Sequence, residues 1–363
     1  MIREATSAER APDERRAYAT LDGLRGVAAL AVVFYHFASD LFAPHGYLAV
    51  DLFFAMSGFV VASAYERRLQ GGLGVGGFFG VRVRRLAPLW LLGVVIGLAL
   101  ALLVPTGDPA RNLALLALPA LLLAPVGTTL VGAFPLNTSL WSLNVEMVVN
   151  VAYALFNRLL TTRVLLAIAA VSFVALAVIA YGLGAVSYGT SNLDLLAGYL
   201  RALISFPVGV VLWRLRARLP KLKLGVLTLF LVAGLMMTGI GINARNAWGV
   251  TYDLAFIALA VPTLVIVAIN NEPSPRFRLL FARMGSGSYA LYALHQPIIH
   301  AARRLAADHG GVPTYLMIGA GLIPGLVLLA WLVDRLFDTP IRRWLKPSTA
   351  RPVAVSPIEA EAA

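Results

Sequence analysis

Two ionisable side chains share the first apolar stretch, LDGLRGVAALAVVFYHF: Arg25 and His36. They stand eleven residues apart. On a helix that spacing returns to the same face, about 16 Å further along the axis. An ionisable group at membrane depth is expensive and usually lines a cavity. Imidazole titrates near neutrality and is the commonest general base. His36 is therefore a candidate base, against the plainer reading of a histidine that hydrogen-bonds a neighbouring helix. Asp40, one turn on, either orients the ring or marks the outer interface.

Four further segments carry polar groups into apolar surroundings. In FFGVRVRRLAPLW, Arg82 and Arg85 are i and i+3 and share a helix face, whereas Arg84 points elsewhere. The cluster falls at the start of an expected span, where helix N–H groups and the dipole favour an anion. Forked guanidinium groups suit phosphate; the alternative is an ordinary basic anchor. In LWSLNVEMVVN, Glu146 lies inside an apolar span, with Ser142 one turn earlier and Trp141 before that. A buried carboxylate needs a partner, and His36 or Arg201 is a natural one.

In GYLAVDLFFAMSGFVV, Asp51 opens a span as an N-cap or interfacial group. Ser57 and Gly58 either let helices pack closely or open space beside His36. In GSYALYALHQPIIH, Tyr289, Tyr292 and His295 supply polar tips, and Pro297 frees a backbone carbonyl. His295 and His300 diverge around the helix, so they form no metal pair. No H-E-x-x-H arrangement occurs and there is no Cys, so no metal site and no thiol nucleophile are expected.

These groups need a frame to hold them. Apolar residues make up 59% of the 363 and charged residues 13%, with a mean hydropathy of +0.80. That balance exceeds what one soluble core buries and predicts an all-α integral membrane protein. Ten spans are expected, at roughly 21–39, 50–65, 86–104, 140–156, 164–183, 198–212, 224–241, 252–269, 288–302 and 315–336. An eleventh stretch, 112–125, is short for a crossing and contains proline, so it is expected to be re-entrant or interfacial. With both termini cytoplasmic, 25 of the 30 Lys and Arg residues fall on the inner side, as the positive-inside rule requires. A crossing at 112–125 would abolish that asymmetry.

The expected organisation is a cytoplasmic tail over 1–20, a transmembrane domain over 21–345 and a disordered Pro- and Ala-rich tail over 346–363. The net charge of +12 belongs to inner loops rather than to a nucleic-acid surface.

Together the five motifs resemble the acyltransferase-3 family of bacterial membrane O-acyltransferases. The Arg25/His36 spacing, Val50–Phe59, the Arg82/Arg85 pair, Trp141–Glu146 and Ser288–Pro297 follow the family's motifs in the family's order. The resemblance implies transfer of an acyl group, often acetyl, from acyl-CoA to a hydroxyl. Surface glycans, lipid-linked sugars and secreted small molecules are the implied acceptors. The inner, cytoplasmic membrane is the implied location. Some members carry a C-terminal SGNH-type domain, and this chain is expected to be the stand-alone form.

The motifs and the resemblance give one working set of residues. His36 and Glu146 are the catalytic candidates, and Arg82, Arg85 and Arg25 the candidates for binding acyl-CoA, most simply acetyl-CoA. Asp51, Ser57, Trp141, Ser142, Tyr292 and His295 are expected around the cavity. The rival from another class is a proton-coupled secondary transporter, which also buries His, Glu and Arg among many spans. It would call for repeated half-structures, and none stands out in the sequence.

Overall fold

A computed structural model describes residues 18–103, 111–126, 133–186, 195–239, 241–308 and 311–345. The expected tails, apart from residues 18–20 and their junctions, lie outside these residues, as does the side chain of Asp40. Among the described residues the fold is entirely helical. The helices are α1 (Ala19–Phe42), α2 (Ala49–Gln70), α3 (Val75–Leu103), α4 (Arg111–Leu121), α5 (Leu140–Phe156) and α6 (Thr162–Leu183). They continue with α7 (Leu195–Leu215), α8 (Val226–Thr238), α9 (Ala247–Ala255), α10 (Val261–Asn270), α11 (Pro275–Asp308), α12 (Gly311–Val333) and α13 (Thr339–Trp344). Short π-helical turns join α9 to α10 and α12 to α13.

Each of the ten expected spans overlaps one helix or a continuous helical run among the described residues. Seven helical runs among the described residues are long and apolar enough to cross a membrane. Helices α5 and α8 are apolar but shorter. Helix α11 is long, at 34 residues, with arginines towards both ends. Helix α4 has 11 residues, about 16 Å of rise against a hydrocarbon core of about 30 Å. The indole of Trp90 donates to the Leu121 carbonyl at its end, 3.2 Å away.

Helix α1 packs against α11, and α2 against α7. The α2–α7 crossing is close because both helices present glycine there. A Cβ on Gly58 would fall on the Phe206 carbonyl, and one on Gly209 on the Ala55 carbonyl. Gly58 therefore serves packing, the plainer of its two readings.

Two local breaks shape the site. Pro297 lacks the N–H that would bond the Ala293 carbonyl. That carbonyl instead accepts from Asn137 Nδ2 at 2.8 Å, so the loop before α5 is fastened to α11 one turn before Pro297. Helix α1 loses helical geometry at Ala38 (φ −153°, ψ 67°). The Phe37 carbonyl just before that break accepts from Tyr315 Oη at 2.8 Å and Arg303 Nη2 at 3.1 Å.

Helix α3 corrects one expectation. It starts at Val75, so Arg82 and Arg85 lie two turns and more inside it. Their local N–H groups are engaged in the helix ladder, so the N-terminus of α3 does not lie at the arginine pair.

Candidate active site

A cavity of about 320 Å³ opens between α1, α2, α3, α5 and α11. Arg25 reaches it from α1, Ser57 from α2, and Arg82 and Arg85 from α3. Ser142 and Glu146 enter from α5, and Tyr289 and Tyr292 from α11. Five segments far apart in the chain thus converge on one space.

At the basic end, Glu146 is fixed by two donors on one oxygen. Arg82 Nη2 and Ser57 Oγ each lie 2.6 Å from Oε1. Glu146 therefore pairs with Arg82, not with His36 or Arg201. Ser57 serves this carboxylate rather than opening space beside His36. The i, i+3 spacing brings Arg82 and Arg85 to the cavity together, but only Arg82 is committed to a carboxylate. Arg25 and Arg85 make no ion pair among the described residues. Arg82 Nε is also a buried donor with no partner among them. This end holds forked donors with unused capacity, which suits a phosphate-bearing ligand.

The other end is closed by hydroxyls. Ser142 Oγ lies 2.5 Å from Tyr292 Oη and donates to the Ser139 carbonyl at 3.2 Å. The Tyr292 ring stands edge-on to Phe53, with centroids 5.7 Å apart.

Beyond Tyr292 lie two imidazoles. The Tyr292 and His295 ring centroids are 5.8 Å apart. His295 Nε2 is 3.1 Å from His36 Nδ1. Neither histidine is among the residues lining the cavity. The space stops one side chain short of the imidazole pair, with Tyr292 at the boundary. His36 and Arg25 occupy one continuous stretch of α1, as the eleven-residue spacing predicts.

Asp51 and Trp141 do not line the cavity. Asp51 is fully buried in a forked pair with Arg201, Nη2 to Oδ2 at 2.6 Å and Nε to Oδ1 at 3.2 Å. Arg201 also donates to the Tyr47 carbonyl at 2.9 Å. Its guanidinium carbon lies 5.6 Å from the Trp141 ring centroid and 5.7 Å from that of Tyr47. The expected cap or interfacial role of Asp51 gives way to a packed ion pair between α2 and α7. His45, Tyr47 and Asp253 extend it: the Asp253 carboxylate takes His45 Nδ1 at 2.6 Å and the Tyr47 hydroxyl. Sequence reasoning missed these three, though a carboxylate at 253 inside an apolar span was itself a signal. It also missed Asn137 and Thr138, whose hydroxyl accepts from Gln296 Nε2 at 2.5 Å.

Among the described residues, no group of His and carboxylate side chains is arranged to hold a metal ion.

The comparisons with known proteins bear on the same residues. A family profile described as an acyltransferase domain matches residues 18–335. The chain belongs to the acyltransferase-3 family. That match takes in every cavity-lining residue named above. Within this family, the chain is similar to protein 2 in the picA locus of Rhizobium radiobacter, 41% identical over 47% of this chain and 96% of that protein. It is also similar to the O-acetyltransferase OatA of Staphylococcus aureus, 27% identical over 89% of this chain. The match covers 57% of the length of that Staphylococcus protein. No solved structure matches the chain.

Proposed function

We propose that the protein is a membrane O-acyltransferase that moves an acyl group, acetyl most simply, from acyl-CoA to a hydroxyl. The acceptor is a surface glycan, a lipid-linked sugar or a secreted small molecule. The observation that carries this reading is the arrangement along α1 and α11. Arg25 and Arg85, which make no ion pair among the described residues, stand at one end of a cavity, and an imidazole pair stands just past the other.

In this reading the chain crosses the inner membrane ten times, with both termini in the cytoplasm and the basic end of the cavity facing inward. Acyl-CoA docks its phosphates on Arg85 and Arg25. Arg82, locked by Glu146 and Ser57, forms the rigid floor beneath them. The pantetheine arm runs along the cavity towards Tyr292. Tyr292 turns aside and the thioester carbonyl meets the acceptor hydroxyl beside His36. His36 takes the hydroxyl proton, the oxygen–carbon bond forms and the carbon–sulfur bond breaks. The proton then passes to the departing thiolate, so ester and free CoA thiol leave with no net proton change. Exclusion of water and alignment of the two reactants supply much of the rate. Glu146 acts here through Arg82 and does not touch the reacting atoms.

The test is transfer of radiolabelled acetyl from acetyl-CoA by purified protein in lipid nanodiscs, with mass spectrometry of glycans and secreted metabolites to find the acceptor. His36→Ala should abolish transfer while leaving acetyl-CoA binding intact. Transfer persisting in His36→Ala removes the base assignment. Solute uptake by the reconstituted protein without CoA release would instead favour transport.

A further inference from the structure

The imidazole pair carries information about protons that follows from its neighbours. His295 Nδ1 faces two backbone carbonyls, Tyr292 O at 2.9 Å and Leu291 O at 3.1 Å. A carbonyl only accepts, so this nitrogen holds the hydrogen. In the neutral ring, Nε2 then carries the lone pair. That lone pair lies 3.1 Å from His36 Nδ1. His36 Nδ1 also faces the Val32 carbonyl at 3.0 Å. It therefore carries a hydrogen, shared between an oxygen and a nitrogen that both accept. The nitrogen of His36 left without a proton is Nε2, and it has no hydrogen-bond partner among the described residues.

His295 is completely buried. A buried imidazole is retained only when its nitrogens are engaged. Both are: one on its own helix backbone, the other on His36. Two features of α11 and its surroundings hold the ring. The Ala293 carbonyl freed by Pro297 accepts from Asn137, and Gln296 donates to Thr138 at 2.5 Å. The ring thus sits on a braced stretch of helix.

We propose that His295 is a positioning residue for His36, resting on the acyl-transfer reading above. It fixes His36 in the tautomer whose Nε2 is basic, and it accepts the Nδ1 hydrogen bond that strengthens when Nε2 takes the acceptor's proton. The pair holds one extra proton between two rings during the step. At Nδ1, where a catalytic histidine commonly has a carboxylate, the His36 imidazolium is stabilised by the His295 ring. The extra proton leaves through Nε2 to the thiolate, so the balance of the reaction is unchanged. His295 touches neither donor nor acceptor in this scheme.

Two measurements on the full chain in nanodiscs decide it. The first needs no activity. Protein labelled with ¹⁵N in histidine is examined by NMR at a pH where the rings are neutral. Both His36 and His295 should be protonated at Nδ1, with scalar coupling across the hydrogen bond between them. A His36 ring protonated at Nε2 overturns the proposal.

The second compares transfer kinetics. His295→Ala should lower kcat by about 10²-fold, the low end of a positioned acid–base contribution, with KM for acetyl-CoA within about twofold of wild type. His295→Gln places an amide oxygen where Nε2 was, and should recover most of the loss. Equal losses in the two variants, or a loss confined to KM, overturn the proposal. Failure of the acyl-transfer reading looks different: there the wild-type protein itself releases no CoA from acetyl-CoA.

Discussion

Arg82 and Glu146 meet across the cavity, Nη2 to Oε1 at 2.6 Å, and Ser57 shares that oxygen. The pair joins α3 to α5 inside a membrane domain, where few other groups could satisfy either charge. The Arg82 side chain is 7% exposed and that of Glu146 21%, so solvent only partly screens the bond. Removing the arginine strands a carboxylate, which is worse than removing both. Arg82→Ala should destabilise the protein by about 2 kcal/mol, below the ~3–5 kcal/mol of a fully buried pair. The double variant Arg82→Ala/Glu146→Ala should cost less than the sum of the singles. Thermal or denaturant unfolding in detergent measures this. Additive losses would mean the two charges do not depend on each other.

The neighbouring arginine should behave differently. Arg85 is exposed to the cavity and makes no close ion pair among the described residues, with the Asp22 carboxylate lining the same space. Arg85→Ala should leave stability within about 0.5 kcal/mol, as an unpaired surface group does. Its effect should fall on the donor: KM for acyl-CoA rises by about tenfold, one hydrogen bond to a charged group, and the wild-type KM grows with salt. Arg25→Ala should act in the same direction. An unchanged KM in both variants would take the phosphates away from this end.

Asp51 and Arg201 form a fully buried ion pair, at 0% and 1% side-chain exposure. They serve as a lock between α2 and α7. Arg201→Ala leaves a buried carboxylate and should cost about 3–5 kcal/mol, seen as poor accumulation and a lowered thermal midpoint in detergent. Replacing both with apolar residues, Asp51→Leu/Arg201→Met, should recover part of that. The Tyr47 carbonyl still loses its donor, so recovery stays incomplete. An Arg201→Ala protein as stable as wild type would mean the lock carries no load.

How far the site could be read beforehand depended on sequence distance. Arg25 and His36 were readable because one helix relates them, and a helix has a fixed period. The face shared by Ser142 and Glu146 followed from the same period, as did the carbonyl freed by Pro297. Partners across helices were not readable: Arg201 suits Glu146 as well as Asp51 until the helices are placed. That α3 begins at Val75, ahead of the expected span, was not readable, because VGGFFG holds three glycines, each a poor helix former by about 1 kcal/mol. There, packing outweighs propensity, since Phe78 is completely buried. The histidine pair was hidden for a simpler reason. Its two rings are 259 residues apart, and neither motif announces the other.

The boundary between cavity and imidazoles gives the sharpest functional test. Tyr292 lines the space on one side and lies tilted against His295 on the other. Its hydroxyl is tied to Ser142 and its ring leans on Phe53. A thioester that docks at the arginines must pass this ring to reach His36. A larger ring in the same place should obstruct passage without touching the phosphates. Tyr292→Trp should therefore bind acetyl-CoA within about twofold of wild type yet transfer acetyl about 10²-fold more slowly, the scale of loss when reacting groups are misplaced by about an ångström. Tyr292→Ala, which opens the boundary, should accept longer acyl chains than wild type does. Binding by calorimetry and transfer by radiolabel separate the two effects. If Tyr292→Trp transfers acetyl at the wild-type rate, the donor does not travel along this cavity, and the two ends of the site belong to different processes.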